Sequence, residues 1–294
     1  MYTTLKIINK YFWKSLFGPG LIFLFGPLYL FIITSTWSLF GMIKSTAIIP
    51  SSMAMVITFL GMFCIPLTIN TLRTSMVMKR LGSSKISPLT FLVCLIIYYW
   101  FFAIVCYVWM LGWGFLFYID RIDEYLVIFN YMHPGDVLYS LCINYFLATT
   151  IGLVILVFTK RNYVIAVINC VVIIFSFALA GFAVPIPLIH ISYKTDSGGW
   201  NCSPLTYIVY ADPFWYSSSL SYESFFHVAD DYFNLLGSSI FNPEVQLYGK
   251  TFAAQPTDGI VLGHADKYLN LILPIVIISS LMVVDIMTFK WNVR

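Results

Sequence analysis

Charge is scarce in this chain. Of its 294 residues, 10% are Asp, Glu, Lys or Arg and 60% are hydrophobic, where a soluble domain carries about 25% charged residues. So few charges cannot cover a globular surface in water, which excludes a soluble fold and leaves a polytopic membrane protein. Strand-like alternation is missing too. The apolar runs are continuous, unlike the alternating strands of an outer-membrane barrel. The six cysteines contain no CxxC pair. Cys64, Cys94, Cys106, Cys142 and Cys170 fall in apolar runs, where Cys behaves as a small apolar residue. Cys202 stands alone outside them, so no intrachain disulfide is expected on its side. Residues 2–17 lack a short apolar core with a small-residue cleavage site, and no cleavable signal peptide is expected.

Catalytic chemistry is equally sparse. Gly249-Lys250-Thr251 reads like the end of a phosphate loop, but Glu244 occupies the place of the earlier glycine. There is no HExxH, no serine nucleophile elbow and no pair of carboxylates inside an apolar run. His133, His190, His227 and His264 are scattered, and no metal site is expected from them. The net charge of +3 follows from a loop bias described below and does not point to nucleic acid. The expectation is a chain that is not an enzyme, binds no cofactor or metal, and has no nucleic-acid partner.

What the chain does have is six long uncharged stretches: 15–43, 45–72, 86–119, 137–159, 162–193 and 268–284. Each supplies most or all of the roughly 20 apolar residues needed to cross a hydrocarbon core about 30 Å thick. Alternate threading sorts the charges. One side receives Lys6, Lys10, Lys14, Arg73, Lys79, Arg80, Lys85, Lys160, Arg161, Lys290 and Arg294, eleven of the 16 basic residues. The other receives 12 of the 13 acidic residues, all but Asp285. By the positive-inside rule both termini are cytoplasmic, and the expected location is the plasma membrane.

The fold class expected is an all-α integral membrane protein. An interfacial amphipathic helix occupies 1–17, and a six-span domain occupies 18–294 with spans at about 21–40, 52–72, 88–118, 137–158, 163–187 and 269–289. Lys6, Lys10 and Lys14 repeat at i+4 on one helix face, and Leu5, Ile8, Phe12 and Leu16 occupy another. This reads as a helix in the inner interface, with lysines toward anionic head groups. Gly18-Pro19-Gly20 is expected to separate it from the first span, and Pro27 and Pro66 to kink spans one and two. A short helix is expected near Tyr125–Tyr131. Segment 188–267 is too aromatic and too poor in charge for a soluble domain. It reads as short helices dipping into or lying on the outer interface. Asn70, Asn144 and Asn169 are the main polar side chains within spans, read as interhelical hydrogen-bonding groups ahead of substrate contacts. Asp285 lies near the inner end of span six, shallow enough to be hydrated or to pair with a cytoplasmic base.

Several short elements carry a resemblance. Lys79-Arg80-Leu81-Gly82-Ser83-Ser84-Lys85-Ile86-Ser87 lies between spans two and three, before Pro88. Gly181-Phe182-Ala183-Val184-Pro185 closes span five. Ser203-Pro204-Leu205-Thr206-Tyr207 and Asp212-Pro213-Phe214-Trp215-Tyr216 precede the last span. With the whole topology, these make the chain resemble the permease subunits of type-2 ABC exporters. The resemblance implies a coupling segment at 73–87, with Arg73, Lys79, Arg80, Leu81, Gly82 and Lys85 touching a separate ATPase. It also implies that Gly181, Pro185, Pro204, Tyr207, Pro213 and Trp215 belong to external re-entrant elements. Arg73 or Thr74 stands where the family often has an acidic residue, and the external segment is longer than is usual there.

The expected function is therefore export of an amphipathic or lipid-like substrate, drug or peptide, driven by ATP hydrolysed in another subunit. The expected partners are that ATPase, a second permease copy or related half, and membrane lipids. Two alternatives remain. One is a membrane-embedded lipid-modifying enzyme, for which Asp212, Glu223, His227, Asp230 and Asp231 form the one acidic and histidine cluster. The other is a non-transporting assembly or immunity protein.

Overall fold

Six helices are long and apolar enough to cross a membrane: span 1 (Gly18–Leu39), span 2 (Ile49–Arg73), span 3 (Leu89–Phe117), span 4 (Pro134–Phe158), span 5 (Asn162–Leu179) and span 6 (Leu269–Met287). The computed structural model describes residues 2–15, 17–40, 48–74, 87–159, 161–184, 189, 192–194, 200–202, 205–225, 245–247, 250–253 and 264–288. The protein is an all-α multi-pass membrane protein in its spanning part. The helices form because their residues are apolar on nearly every face, so each backbone amide must bond within its own segment. We call the end of the bundle that carries the start of span 3 the near face, and the opposite end the far face.

Three further helices flank the spans: α1 (Tyr2–Lys14), α2 (Ile122–Tyr131) and α3 (Pro213–Phe225). In α1, Lys6, Lys10 and Lys14 are exposed while Ile8 and Phe12 are fully buried. The buried face rests on span 3. Phe12 packs at 4.3 Å between ring centroids on Phe102, and the Tyr98 hydroxyl donates to Asn9 Oδ1 at 2.8 Å. Gly18-Pro19-Gly20 does not separate the two helices as expected. These residues lie within the first turn of the next helix, where proline is tolerated, and the bend falls at Ser15.

Pro27 and Pro66, expected to kink their spans, each have a consequence for packing. A π-helical turn precedes each, at Leu21–Phe25 and at Leu60–Cys64. A proline inside a helix removes the N–H that would bond the carbonyl four residues earlier, here those of Phe23 and Met62. Each carbonyl finds a donor on another span. Trp109 Nε1 of span 3 donates to Phe23 at 3.1 Å, and Asn169 Nδ2 of span 5 donates to Met62. Spans 2 and 4 approach closely beside the second of these breaks. A Cβ on Gly61 would lie 2.7 Å from Ala148 Cβ, and one on Gly152 would lie 2.9 Å from Pro66 Cγ.

Beyond the spans, four short strands form an antiparallel sheet in the order β2-β1-β4-β3, with β1 Ser192–Lys194, β2 Trp200–Cys202, β3 Val245–Leu247 and β4 Lys250–Ala253. Short helices alone were expected there. The 245–253 stretch instead pairs with itself and with 192–193. Lys250 and Thr251 therefore open a strand, whereas a phosphate loop must lead into a helix.

Candidate functional site

Span 5 ends at Leu179, earlier than the 187 expected from hydropathy. Gly181 takes a left-handed φ of 73°, the conformation that favours glycine just past a helix end. The following backbone folds onto span 1, where Tyr29 Oη donates to the Phe182 carbonyl at 2.8 Å and Trp37 Nε1 to that of Ala183 at 2.7 Å. The chain later re-enters the bundle through a helical turn at Leu205–Ala211, turns at Asp212, and leaves along α3.

The depth of α3 follows from its partners. Near its far-face end, the Ser224 carbonyl accepts the His133 amide at 3.1 Å, and Ser221 Oγ donates to the Pro50 carbonyl at 3.3 Å. Two turns back, Ser217 Oγ donates to Asn144 Oδ1 at 2.9 Å. Asn144 lies ten residues into span 4 from Pro134, or about 15 Å at 1.5 Å per residue. That is half of a hydrocarbon core about 30 Å thick. Thus α3 is a re-entrant helix reaching mid-bundle, and only because protein surrounds it: all but Pro213 and Glu223 of its 13 residues are buried.

Asn144 is the hub of the site. Its Oδ1 also accepts from Thr58 Oγ1 at 3.2 Å, and its Nδ2 donates to the Ala54 carbonyl of span 2 at 2.6 Å. One amide thereby joins spans 2 and 4 to α3, and none of its bonds is exposed. Asn70 and Asn169 likewise bond between helices, Asn70 to Asn162 and Asn169 to Met62. All three asparagines hold spans together, as their residue type suggests.

Asp212 caps α3. Its Oδ1 accepts the Phe214 amide at 2.9 Å, and its carbonyl accepts that of Trp215 at 3.1 Å. Oδ2 is buried beside Ser176 of span 5. The Ser176 hydroxyl donates to the Val172 carbonyl at 3.1 Å and lies against the Asp212 carboxyl. Burial raises the Asp212 carboxyl above its ordinary range, and the Phe214 amide and Ser176 pull the other way. At the opposite end of α3, Glu223 Oε1 accepts from Asn270 Nδ2 of span 6 at 3.2 Å. Asp212 and Glu223 are eleven residues apart on one helix, roughly 16 Å along its axis, too far to act on one substrate bond. His227, Asp230 and Asp231 lie outside the described residues. Among the described residues no group of three or more metal-ligating side chains converges.

Of the residues singled out in the sequence, Trp215 is 2% exposed inside the bundle, Pro213 opens α3, and Tyr207 is exposed on the entering turn. Arg73 ends span 2 at the near face and is partly buried. Lys79, Arg80, Leu81, Gly82, Lys85, Pro185 and Pro204 lie outside the described residues. Asp285, expected to be hydrated or paired with a cytoplasmic base, is buried in span 6. The serines of α3 were missed. The available signal was Ser217-Ser218-Ser219 with Ser221 and Ser224, a hydroxyl-rich run inside an otherwise aromatic stretch.

Comparison with protein-family models, with curated proteins and with solved structures finds no match.

Proposed function

We propose that this chain is the membrane-spanning permease subunit of a type-2 ABC exporter, moving an amphipathic or lipid-like substrate with ATP hydrolysed by a separate subunit. The observation that carries the reading is α3, a helix between spans 5 and 6 that penetrates to Asn144 and returns to the face it came from. Such an element breaks the lipid-like interior with a run of hydroxyl side chains, as suits a protein that passes a partly polar molecule and takes its energy from elsewhere. The six spans and the docked α1 support the same reading. The near face is then cytoplasmic, with 73–87 coupling to the ATPase, and a second permease copy or related half completes the transporter in the plasma membrane. The enzyme reading gains no support from the separated Asp212 and Glu223.

The test is purification of tagged protein from its native membrane in mild detergent, with identification of what accompanies it. The expected result is an ATPase subunit bearing a phosphate loop, lost on Lys79→Glu/Arg80→Glu while the permease stays in the membrane. Full recovery of the permease with no ATPase would sink the proposal.

A further inference from the structure

The exposed side of α1 carries charge of one sign. Lys6, Lys10 and Lys14 are exposed together with Trp13, and no acidic residue precedes Asp120 anywhere in the chain. Lys10 stands one turn before Trp13, and residues three apart are neighbours on a helix surface. The other side of α1 is held to the bundle: Phe12 is buried against Phe102, and Asn9 accepts from the Tyr98 hydroxyl. This docking sets the lysines at the near-face end of the seam between spans 1 and 3. There the Trp13 ring stacks on Phe23 of span 1 at 6.3 Å between centroids and meets Phe102 of span 3 edge-on at 6.4 Å.

From Trp13 the rings lead inward along the seam. Phe23 lies 6.0 Å from Trp109 of span 3, whose indole N–H donates to the Phe23 carbonyl. Trp109 stands eleven residues beyond Tyr98, the residue level with α1, or roughly 16 Å along the helix. That is half-way through a hydrocarbon core about 30 Å thick. Trp13, Phe23 and Trp109 are 55%, 37% and 40% exposed. Tryptophan collects at the two membrane interfaces, so an exposed indole at mid-depth is out of its usual place. One acyl chain covers the same course, from the head-group level to the middle of the core.

The two halves of this surface call for one molecule. A protein meeting the lysines from water would leave the rings inside the hydrocarbon untouched, and a zwitterionic lipid brings the lysines no net charge. An anionic phospholipid brings both a negative head group and an apolar chain. We infer that the seam of spans 1 and 3 binds an anionic phospholipid, with its phosphate on the lysines of α1 and an acyl chain along Trp13, Phe23 and Trp109. The lipid is held at a defined place, beyond the general attraction of a basic interfacial helix for anionic head groups. The site does not rest on the exporter reading.

The test is quenching of tryptophan fluorescence by bromine on lipid chains. The full chain is placed in phosphatidylcholine nanodiscs that contain chain-brominated phosphatidylglycerol, or chain-brominated phosphatidylcholine at equal mole fraction. The share of Trp109 is the quenching lost in Trp109→Phe. The expected result is a share at least twofold larger with the brominated phosphatidylglycerol, reaching a plateau as its fraction is raised. In Lys6→Gln/Lys10→Gln/Lys14→Gln, measured with and without Trp109→Phe, that excess should fall by at least half, while quenching by brominated phosphatidylcholine stays as in wild type. Trp13→Phe, at the most exposed of the three rings, repeats the comparison independently of Trp109. Equal quenching by the two lipids in monodisperse protein overturns the site. So does a share that rises in proportion to the lipid fraction, which is the behaviour of bulk lipid. An excess undiminished in the lysine variant overturns the placing of the head group on α1.

Discussion

The side-chain amide of Asn169 in span 5 donates to the Met62 carbonyl of span 2, the one carbonyl that Pro66 deprives of its helical donor. The freed carbonyl and its new donor come from different helices. Asn169→Ala should lower thermal stability in detergent by about 1 kcal/mol, the usual scale for an interhelical hydrogen bond in a membrane. Pro66→Ala restores an N–H to the helix, so the double variant should lose less than the two single losses added together. Strict additivity, measured by thermal unfolding, would show that the two sites are not coupled.

Glycines in the spans should differ sharply by what faces them. Gly61→Ala drives a Cβ to 2.7 Å from Ala148 Cβ and 3.0 Å from the Thr149 amide nitrogen, so backbone must move. A cost of about 1–3 kcal/mol is expected. Gly20→Ala meets nothing within 4 Å and keeps a helical φ of −61°. It should be neutral or stabilising by up to about 1 kcal/mol. Melting temperatures of the two variants in the same detergent decide the matter, and equal losses would contradict the packing of spans 2 and 4.

Asn144 makes three bonds, to Ser217, Thr58 and Ala54, whereas the Ser224 hydroxyl bonds the Ser221 carbonyl at 2.7 Å and reaches another side chain, Ser140, only at 3.4 Å. Asn144→Leu should therefore destabilise far more than Ser224→Ala. It should also expose α3 to limited proteolysis from the far face. Unchanged protection of α3 in Asn144→Leu would remove this residue as its inner anchor.

Stability should fall with rising pH through the titration of Asp212. Its folded-state carboxyl is raised by burial, so the folded protein holds a proton that the unfolded chain has already released. The protonated carboxyl favours folding at low pH, and that advantage is lost as pH rises from the ordinary carboxylate range through the raised value. Asp212→Asn retains a good N-cap and carries no charge. Its melting temperature relative to wild type should therefore rise with pH, and a pH-independent difference would contradict the burial of this carboxylate.

The crossings themselves were legible without a structure. An uncharged run of 20 residues has one stable state in a bilayer, because lipid supplies no partners for backbone amides. Such runs therefore become helices whatever their neighbours, and charge between them orders their threading. The prolines and asparagines could be recognised one at a time in the same way. Their pairing could not: which carbonyl Pro66 frees is a local matter, but that Asn169 stands opposite it depends on how spans 2 and 5 pack. That the segment holding α3 dips toward the membrane could be read from its aromatic, charge-poor composition and from the resemblance, but its depth could not. Its depth is set by Ser217 meeting Asn144, 73 residues apart in the chain. Local chemistry decided what each segment is. Contacts between distant segments decided where the polar groups of α3 end up, because a hydroxyl in a membrane interior must be met by whatever the fold places beside it.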